Sequence, residues 1–378
     1  MTRISASWLQ DDAAQKVCKL LTDAGFQAWF VGGCVRNELL HEPVADLDLS
    51  TDATPETVMK LAKASNIHAI PTGIDHGTVT LVANDIPFEI TTFRRDIATD
   101  GRRATVAFSD NITADARRRD FTMNALYAGP DGEIADPLGG LPDLQARRVR
   151  FIEDADRRIK EDYLRILRFF RFYAWYGDVS EGPDADGLAA CAENIAGLHS
   201  LSAERVTAEL LKLLAAPDPA PALATMASTA ALAQVLPGAN TWSLATLVHL
   251  EQEAGLAPRL MLRLALLGGE PTESLRLSNA QIRQLEQINS GASPVELAYR
   301  FGVDAGLDAL LFEAASLSQP VRRAELEEIH HAAKQVFPLK AADLMPTLNG
   351  PALGIALKKA EARWISSGFT LTKAELLD

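Results

Sequence analysis

Apolar positions near the start of the chain recur at helical spacing, at Leu9, Ala13, Val17, Leu20 and Leu21, until Gly25 ends the pattern. A strand-like run, "FQAWFVGG", follows, and "GGCVRNELLH" returns to helical spacing. "ADLDLST" again has strand character, and Asp52 to Glu56 supply the start of a helix over "TPETVMKLAKAS". "GTVTLVANDIPFEITTF" reads as a hairpin, two alternating runs joined around Asn84 and Asp85 with Pro87 just past the turn. Helices and strands interleaved in this way predict an α+β unit over residues 1–145.

Past Phe151 strand signals nearly vanish. "EDYLRILRFFRFYAWYG", "ERVTAELLKLLAA", "TLVHLEQEA", "RLMLRLALL" and "NAQIRQLEQIN" all carry apolar residues three to four apart, so the remainder is expected to be helical. Joins rich in Pro, Asp and Ala at 181–187 and 215–222 mark loops or a subdomain boundary. The chain therefore divides into a head (1–145), a helical neck (146–215) and a helical body and tail (216–378), without a solenoid repeat.

With 378 residues, 47% hydrophobic and 23% charged, the composition is that of a globular protein with a sizeable core. The longest apolar stretches are broken by arginine and fall short of the roughly 20 residues that span a bilayer, so no membrane association is expected. Acids early in "MTRISASWLQDDAAQKVCKLL" argue against a secretory leader, and the cytoplasm is the expected location. Cys18, Cys34 and Cys191 are an odd, scattered set that fits small buried side chains better than a disulfide framework or a metal site. A net charge of −13 disfavours a nucleic-acid partner at first sight, but arginines crowd the segment from Arg94 to Arg171, a local basic field on an acidic chain.

The chemistry starts at "VADLDLSTDATP" (44–55). Side chains alternate along a strand, so Asp46 and Asp48 project together, about 6.5 to 7 Å apart. Adjacent carboxylates repel, a cost that a divalent cation between them would offset; Mg²⁺ takes such oxygen ligands and completes its shell with substrate phosphates. Glu89 on the second hairpin strand is the natural third acid, because Phe88 and Ile90 point the other way. Taken alone, the pair reads more simply as charges at a solvated sheet rim. Gly32 and Gly33 change that balance: they end a strand and open a helix, where the backbone can approach a phosphate closely.

"FVGGCVRNELLHEPVADLDLSTDATPE" is similar to the signature of the nucleotidyltransferases that add CCA to transfer RNA and of bacterial poly(A) polymerases, within the DNA polymerase beta superfamily. "RRDFTMNALY" (118–127), "DPLGGLPDL" (136–144), "EDYLRILRFFRF" (161–172) and "SAERVTAELLKLL" (202–214) resemble the following motifs of that family, in its order. The resemblance covers roughly the first 215 residues. It implies a polymerase-beta-like head with a small mixed sheet, followed by an all-helical region. It also implies attack of an RNA 3′-hydroxyl on the α-phosphate of CTP or ATP, with two Mg²⁺ ions.

Carried onto this chain, the resemblance assigns Asp46 and Asp48 to the metals and Asp46, Asp48 and Glu89 to catalysis. It assigns Gly32, Gly33 and Arg36 to the triphosphate, Arg118, Asp120 and Asn124 to ribose and phosphate, and Asp162, Arg165 and Arg168 to nucleotide recognition. Asp162 and Arg165 lie three apart, so one helix face would present an acceptor-only carboxylate beside a guanidinium fork, able to read C and A. A competing role for Asp120 is to cap a helix starting near Phe121. The family usually has an acid where this chain has Asn37, which leaves the positioning of Arg36 as the open point.

Within the family, "AIPTGIDHGTVTLV" looks like the CCA-adding form and not the poly(A) form. "RRDIATDGRRATVAFSDN" is similar to the long flexible loop of complete CCA enzymes, which is expected to be shortened in a CC-adding enzyme, and Gly101 is the expected hinge. A catalytically silent RNA-binding relative would have lost one of the paired aspartates, and both are present. No His-Asp phosphohydrolase motif occurs, and His249, His330 and His331 read as helix-surface or core residues. The C-terminal helices would grip transfer RNA by shape and phosphate, with Lys358, Lys359 and Arg363 as candidate contacts or simply a solvated face.

Overall fold

The computed structural model describes residues 2–100, 103–345 and 348–377; at 75, 96–100 and 103–106 it describes the backbone alone. Two units result: Met1–Leu213 with Ser228–Gln234, and Leu214–Ala227 with Val235–Asp378.

In the first unit α1 (Asp12–Thr22) begins where the Asp11 side chain accepts the Ala13 N–H at 2.8 Å. Then come β1 (Trp29–Val31), α2 (Gly33–Leu39) and β2 (Leu47–Thr51). Next is α3 (Pro55–Ala64), which starts at a Thr54 cap with proline in its first turn. β3 (His68–Gly73), β4 (Thr78–Ala83) and β5 (Ile86–Thr92) follow. Asn84 and Asp85 both have positive φ, at 49° and 63°, which is the two-residue turn whose twist suits a hairpin. After β6 (Arg94–Asp100), β7 (Arg103–Phe108) and α4 (Ile112–Arg117) come β8 (Tyr127–Ala128), β9 (Ile134–Ala135) and α5 (Leu141–Gln145). The unit ends in α6 (Ala155–Glu161), α7 (Leu164–Tyr176), α8 (Ala185–Glu193) and α9 (Ala203–Leu214).

The strands form a mixed sheet in the order β3-β4-β5-β2-β1-β8-β9. β2 runs antiparallel to β1 and parallel to β5. Helices α1 and α3 pack on β4, and Val17, Leu21, Val58, Leu81 and Ile90 are buried between them or beside them. Cys18, Cys34 and Cys191 are free and buried, as expected of small core side chains.

Segment 94–108 corrects the expected loop. It is a two-stranded ribbon, β6 against β7, paired from Arg94 opposite Phe108 to Asp100 opposite Arg103. β6 hides its strand character, because Arg94, Arg95, Asp96 and Asp100 break any apolar alternation, whereas β7 does alternate, with Ala104, Val106 and Phe108. Gly101 and Arg102 lie outside the described residues.

α7 is seated by aromatic contacts. Phe121 stands 4.9 Å from Phe151 and 4.8 Å from Phe172, ring centroid to centroid, and Phe151 stacks on Phe169 at 5.5 Å. These rings join the end of the head to α7.

The second unit is helical from Ala220–Ser228 to Lys373–Leu377, with its longest helices at Val303–Leu317 and Gly350–Ser366. Arg263 is its largest fully buried side chain. It donates to Glu251 at 2.6 and 2.9 Å and to the carbonyls of Leu214 and Ala216, each at 2.6 Å. Lys358 and Lys359 are exposed on helix Gly350–Ser366, and Arg363 donates to the Glu375 carbonyl at 3.1 Å. His249, His330 and His331 are all exposed. Among the described residues no helix is long and apolar enough to cross a membrane.

Candidate active site

Gly32 turns the chain from β1 into α2 with φ +72°, a region that favours glycine, and a Cβ there would come 3.5 Å from Arg119 Nη1. Around this turn lies a cleft of about 450 Å³, lined by Gly32, Gly33, Arg36, Asp48, Arg119, Asp120, Asn124, Asp162, Arg165, Arg168, Arg171 and Phe172. Five guanidinium groups and three carboxylates share this lining.

Nine residues expected from the sequence thus meet in one place: Gly32, Gly33, Arg36, Asp48, Asp120, Asn124, Asp162, Arg165 and Arg168. Asp46, Glu89 and Arg118 do not line the cleft. β2 begins at Leu47, so Asp46 is an exposed residue just before the strand and not a member of the expected alternation. Glu89 stands opposite Asp48 in the β2–β5 pairing. Arg118 closes α4, and its carbonyl accepts from Arg158.

Arg119 takes the place expected of Arg118. It donates to Asp115 at 3.1 Å, to the Tyr127 hydroxyl at 3.1 Å and to Ser50 Oγ at 3.3 Å. Two adjacent arginines are indistinguishable by type; only the end of α4 decides which one turns inward.

Asp120 does not cap a helix. A short turn at Thr122–Asn124 follows it with Phe121 at the cap, and its carboxylate instead accepts from Arg168 Nε at 2.7 Å, Asn124 at 2.9 Å and the Phe121 N–H at 2.9 Å. Burial alone would raise this carboxyl, but Arg168 and the two amide donors outweigh it and hold it at about 2.

Asp162 and Arg165 do not share a helix face. The helix breaks between them: α6 ends at Glu161 and Asp162 is extended (φ −157°, ψ 106°), its carboxylate accepting the Leu164 N–H at 3.1 Å. Arg205 on α9 donates to its other oxygen at 2.7 Å, while Arg165 donates to Glu161 at 2.7 Å and to the Arg158 carbonyl at 2.6 Å. Each residue is therefore aimed by a separate partner. Arg171, bonded to Glu209 at 2.6 Å, and Phe172 complete the lining. Arg119 and Arg171 were legible in the sequence only as members of the basic segment, Phe172 and Arg205 only as parts of the motifs at 161–172 and 202–214, and none was assigned to the site.

Asp48 stands out electrostatically. Its carboxyl is pushed up to about 6, first by burial and then by the charge of Glu89, with Asp46 adding to the rise and Arg119 opposing it. Among the described residues nothing donates a hydrogen bond to it. Carboxylate oxygens suit a hard divalent ion, and Asp46, Asp48 and Glu89 are the candidates for one. Among the described residues no three His, Cys, Asp or Glu side chains are grouped closely enough to hold a metal ion.

Residues 28–150 match the Poly A polymerase head domain, and residues 184–243 match the probable RNA and SrmB-binding site of polymerase A. Over 387 residues, 97% of this chain and 89% of its relative, the sequence is 30% identical to the CCA tRNA nucleotidyltransferase 1, mitochondrial, of Homo sapiens. The chain belongs to the class II CCA-adding enzyme family. A CCA-adding enzyme of Limosilactobacillus reuteri is 37% identical over 264 residues, 68% of this chain and 64% of that one. The crystal structure of the Bacillus stearothermophilus CCA-adding enzyme in complex with CTP superposes with a TM-score of 0.79 at 28% identity, over 96% of this chain and 94% of that one.

Proposed function

We propose that this protein adds CCA to the 3′ end of transfer RNA from CTP and ATP without a nucleic-acid template. Likeness to CCA-adding enzymes along nearly the whole chain carries this reading. The cleft supports it chemically, since Asp48, with its raised carboxyl, and five arginines line it together with the glycine turn.

In this reading Gly32, Gly33 and Arg36 receive the triphosphate, and Arg119 helps to hold the phosphate end near Asp48. Asp120 and Asn124 fix Arg168 and Arg36 and face the ribose. Asp162, aimed by Arg205, and Arg165, aimed by Glu161, read the base: a carboxylate accepts the amino group that C and A both carry, and a guanidinium donates to the ring nitrogen beside it. Asp46 and Asp48 would hold divalent metal, Mg²⁺ by the oxygen chemistry, with Glu89 beside Asp48. Two ions bound there would supply activation of the RNA 3′-hydroxyl and neutralisation of the departing pyrophosphate. Residues 1–145 act as the catalytic head, 146–215 as the base-reading neck and 216–378 as the body that grips the RNA, in a cytoplasmic enzyme.

The test is extension of transfer RNA ending in the discriminator base, with Mg²⁺ and with CTP and ATP supplied singly and together, resolved at single-nucleotide steps. Two additions with CTP alone and three with both are expected. A CC end that never gains its A would mark a CC-adding enzyme, and a long ladder with ATP alone a poly(A) polymerase.

A further inference from the structure

Arg36 is only 7% exposed, yet every side chain that receives its hydrogen bonds is neutral. Nε and Nη2 donate to Asn37 Oδ1 at 3.1 and 2.8 Å, Nη1 donates to Asn124 Oδ1, and Nη2 also donates to the Tyr176 hydroxyl at 2.8 Å. The Tyr176 ring centroid lies 4.0 Å from the guanidinium carbon, and that of Phe172 lies 5.1 Å away. Among the described residues no carboxylate is within ion-pair distance of Arg36. The other guanidinium groups of the cleft each have one: Arg119 with Asp115, Arg165 with Glu161, Arg168 with Asp120 and Arg171 with Glu209. Asp120 is the acid whose field reaches Arg36, and Arg168 already occupies it.

A buried cation without a counter-ion costs several kcal/mol unless a ligand supplies the charge. Asn37 makes this a property of the chain, because a carboxylate at that position would accept the same two hydrogen bonds and cancel the charge. Tyr176 restores the aim of the guanidinium without doing so: its hydroxyl fixes one nitrogen and its ring face supports the cation. It is absent from the cleft lining, so it reaches a ligand only through Arg36.

We infer that Tyr176, on the last turn of α7, is a positioning residue for nucleotide triphosphate: with Asn37 and Asn124 it clamps Arg36 by neutral contacts and leaves its charge to the polyphosphate. The inference rests on the nucleotidyl-transfer reading for the identity of that anion. It also links the helix carrying Arg165 and Arg168 to the glycine turn, so base-reading and phosphate-binding groups share one support.

Inorganic tripolyphosphate, which has no base or sugar, isolates the clamp. Calorimetry on the full chain is expected to give an affinity about 10-fold weaker for Tyr176→Phe than for the parent protein, the lower end of what one lost hydrogen bond to a charged group removes. In the extension assay KM for CTP and for ATP should rise by the same factor, with kcat within about twofold and KM for transfer RNA unchanged. Tripolyphosphate affinity equal to the parent's, or an effect confined to kcat or to transfer RNA, overturns the clamp. If the parent protein fails to extend transfer RNA while Tyr176→Phe still weakens tripolyphosphate, the CCA-adding reading is lost and the clamp stands. Should Tyr176→Phe unfold, Asn37→Asp serves instead: an internal anion on Arg36 lowers tripolyphosphate affinity, and unchanged affinity overturns the proposal.

Discussion

Asp48 and Glu89 face each other across the parallel pairing of β2 and β5, two carboxylates at one position of the sheet. With burial they raise the Asp48 carboxyl to about 6, well above the range of a solvated aspartate.

The sign of that shift makes a prediction for the metal-free protein. A carboxyl whose folded pKa is raised destabilises the fold wherever it is ionised, so the strain is full above about pH 6 and gone below the unfolded value near 4. In chelator, Asp48→Asn should therefore melt higher than the parent by on the order of 2 °C at pH 8. The two should converge near pH 4. In the extension assay the same substitution should abolish incorporation while leaving transfer RNA binding, by gel shift, unchanged. Incorporation retained at the parent's rate would remove Asp48 from the metal site.

Asn37→Asp should move stability and function in opposite directions. The new carboxylate would meet Arg36 where Asn37 Oδ1 does now, supplying a counter-ion to a guanidinium 7% exposed. Thermal unfolding at pH 7.5 should shift upward while KM for both nucleotides rises. A lowered melting temperature would show that the neutral contacts already satisfy Arg36.

Arg205 is expected to govern base choice through Asp162, whose carboxylate it holds at 2.7 Å. Arg205→Ala leaves that carboxylate tethered only by the Leu164 N–H. The preference for CTP over UTP, as a ratio of kcat/KM values, should fall about 10-fold. An unchanged ratio would exclude Arg205 from base reading.

Arg263→Met should cost about 3 to 5 kcal/mol of stability. The substitution strands the buried Glu251 carboxylate and the carbonyls of Leu214 and Ala216 without their donor. Chemical denaturation of the whole chain measures it, and a loss below about 1 kcal/mol would mean that water reaches the cavity.

What the sequence determined by itself is what local physics decides. Alternation and the Asn84–Asp85 pair are enough for the β4–β5 hairpin, because the turn's positive φ angles and the pleat's period of two are properties of neighbouring residues. The glycine turn into α2, the Thr54–Pro55 start of α3 and the helical character past Phe151 are legible for the same reason. Tertiary structure decided which side chains meet. Arg119 and not Arg118 enters the cleft because α4 ends at Arg117; Asp162 leaves the helix because its carboxylate takes a backbone N–H and an arginine 43 residues away. Arg263 sits in an apolar run and is buried because Glu251 and the Leu214 and Ala216 carbonyls await it. Pairings of this kind depend on residues tens of positions apart, and their energy comes from burial that exists only once the fold has excluded water.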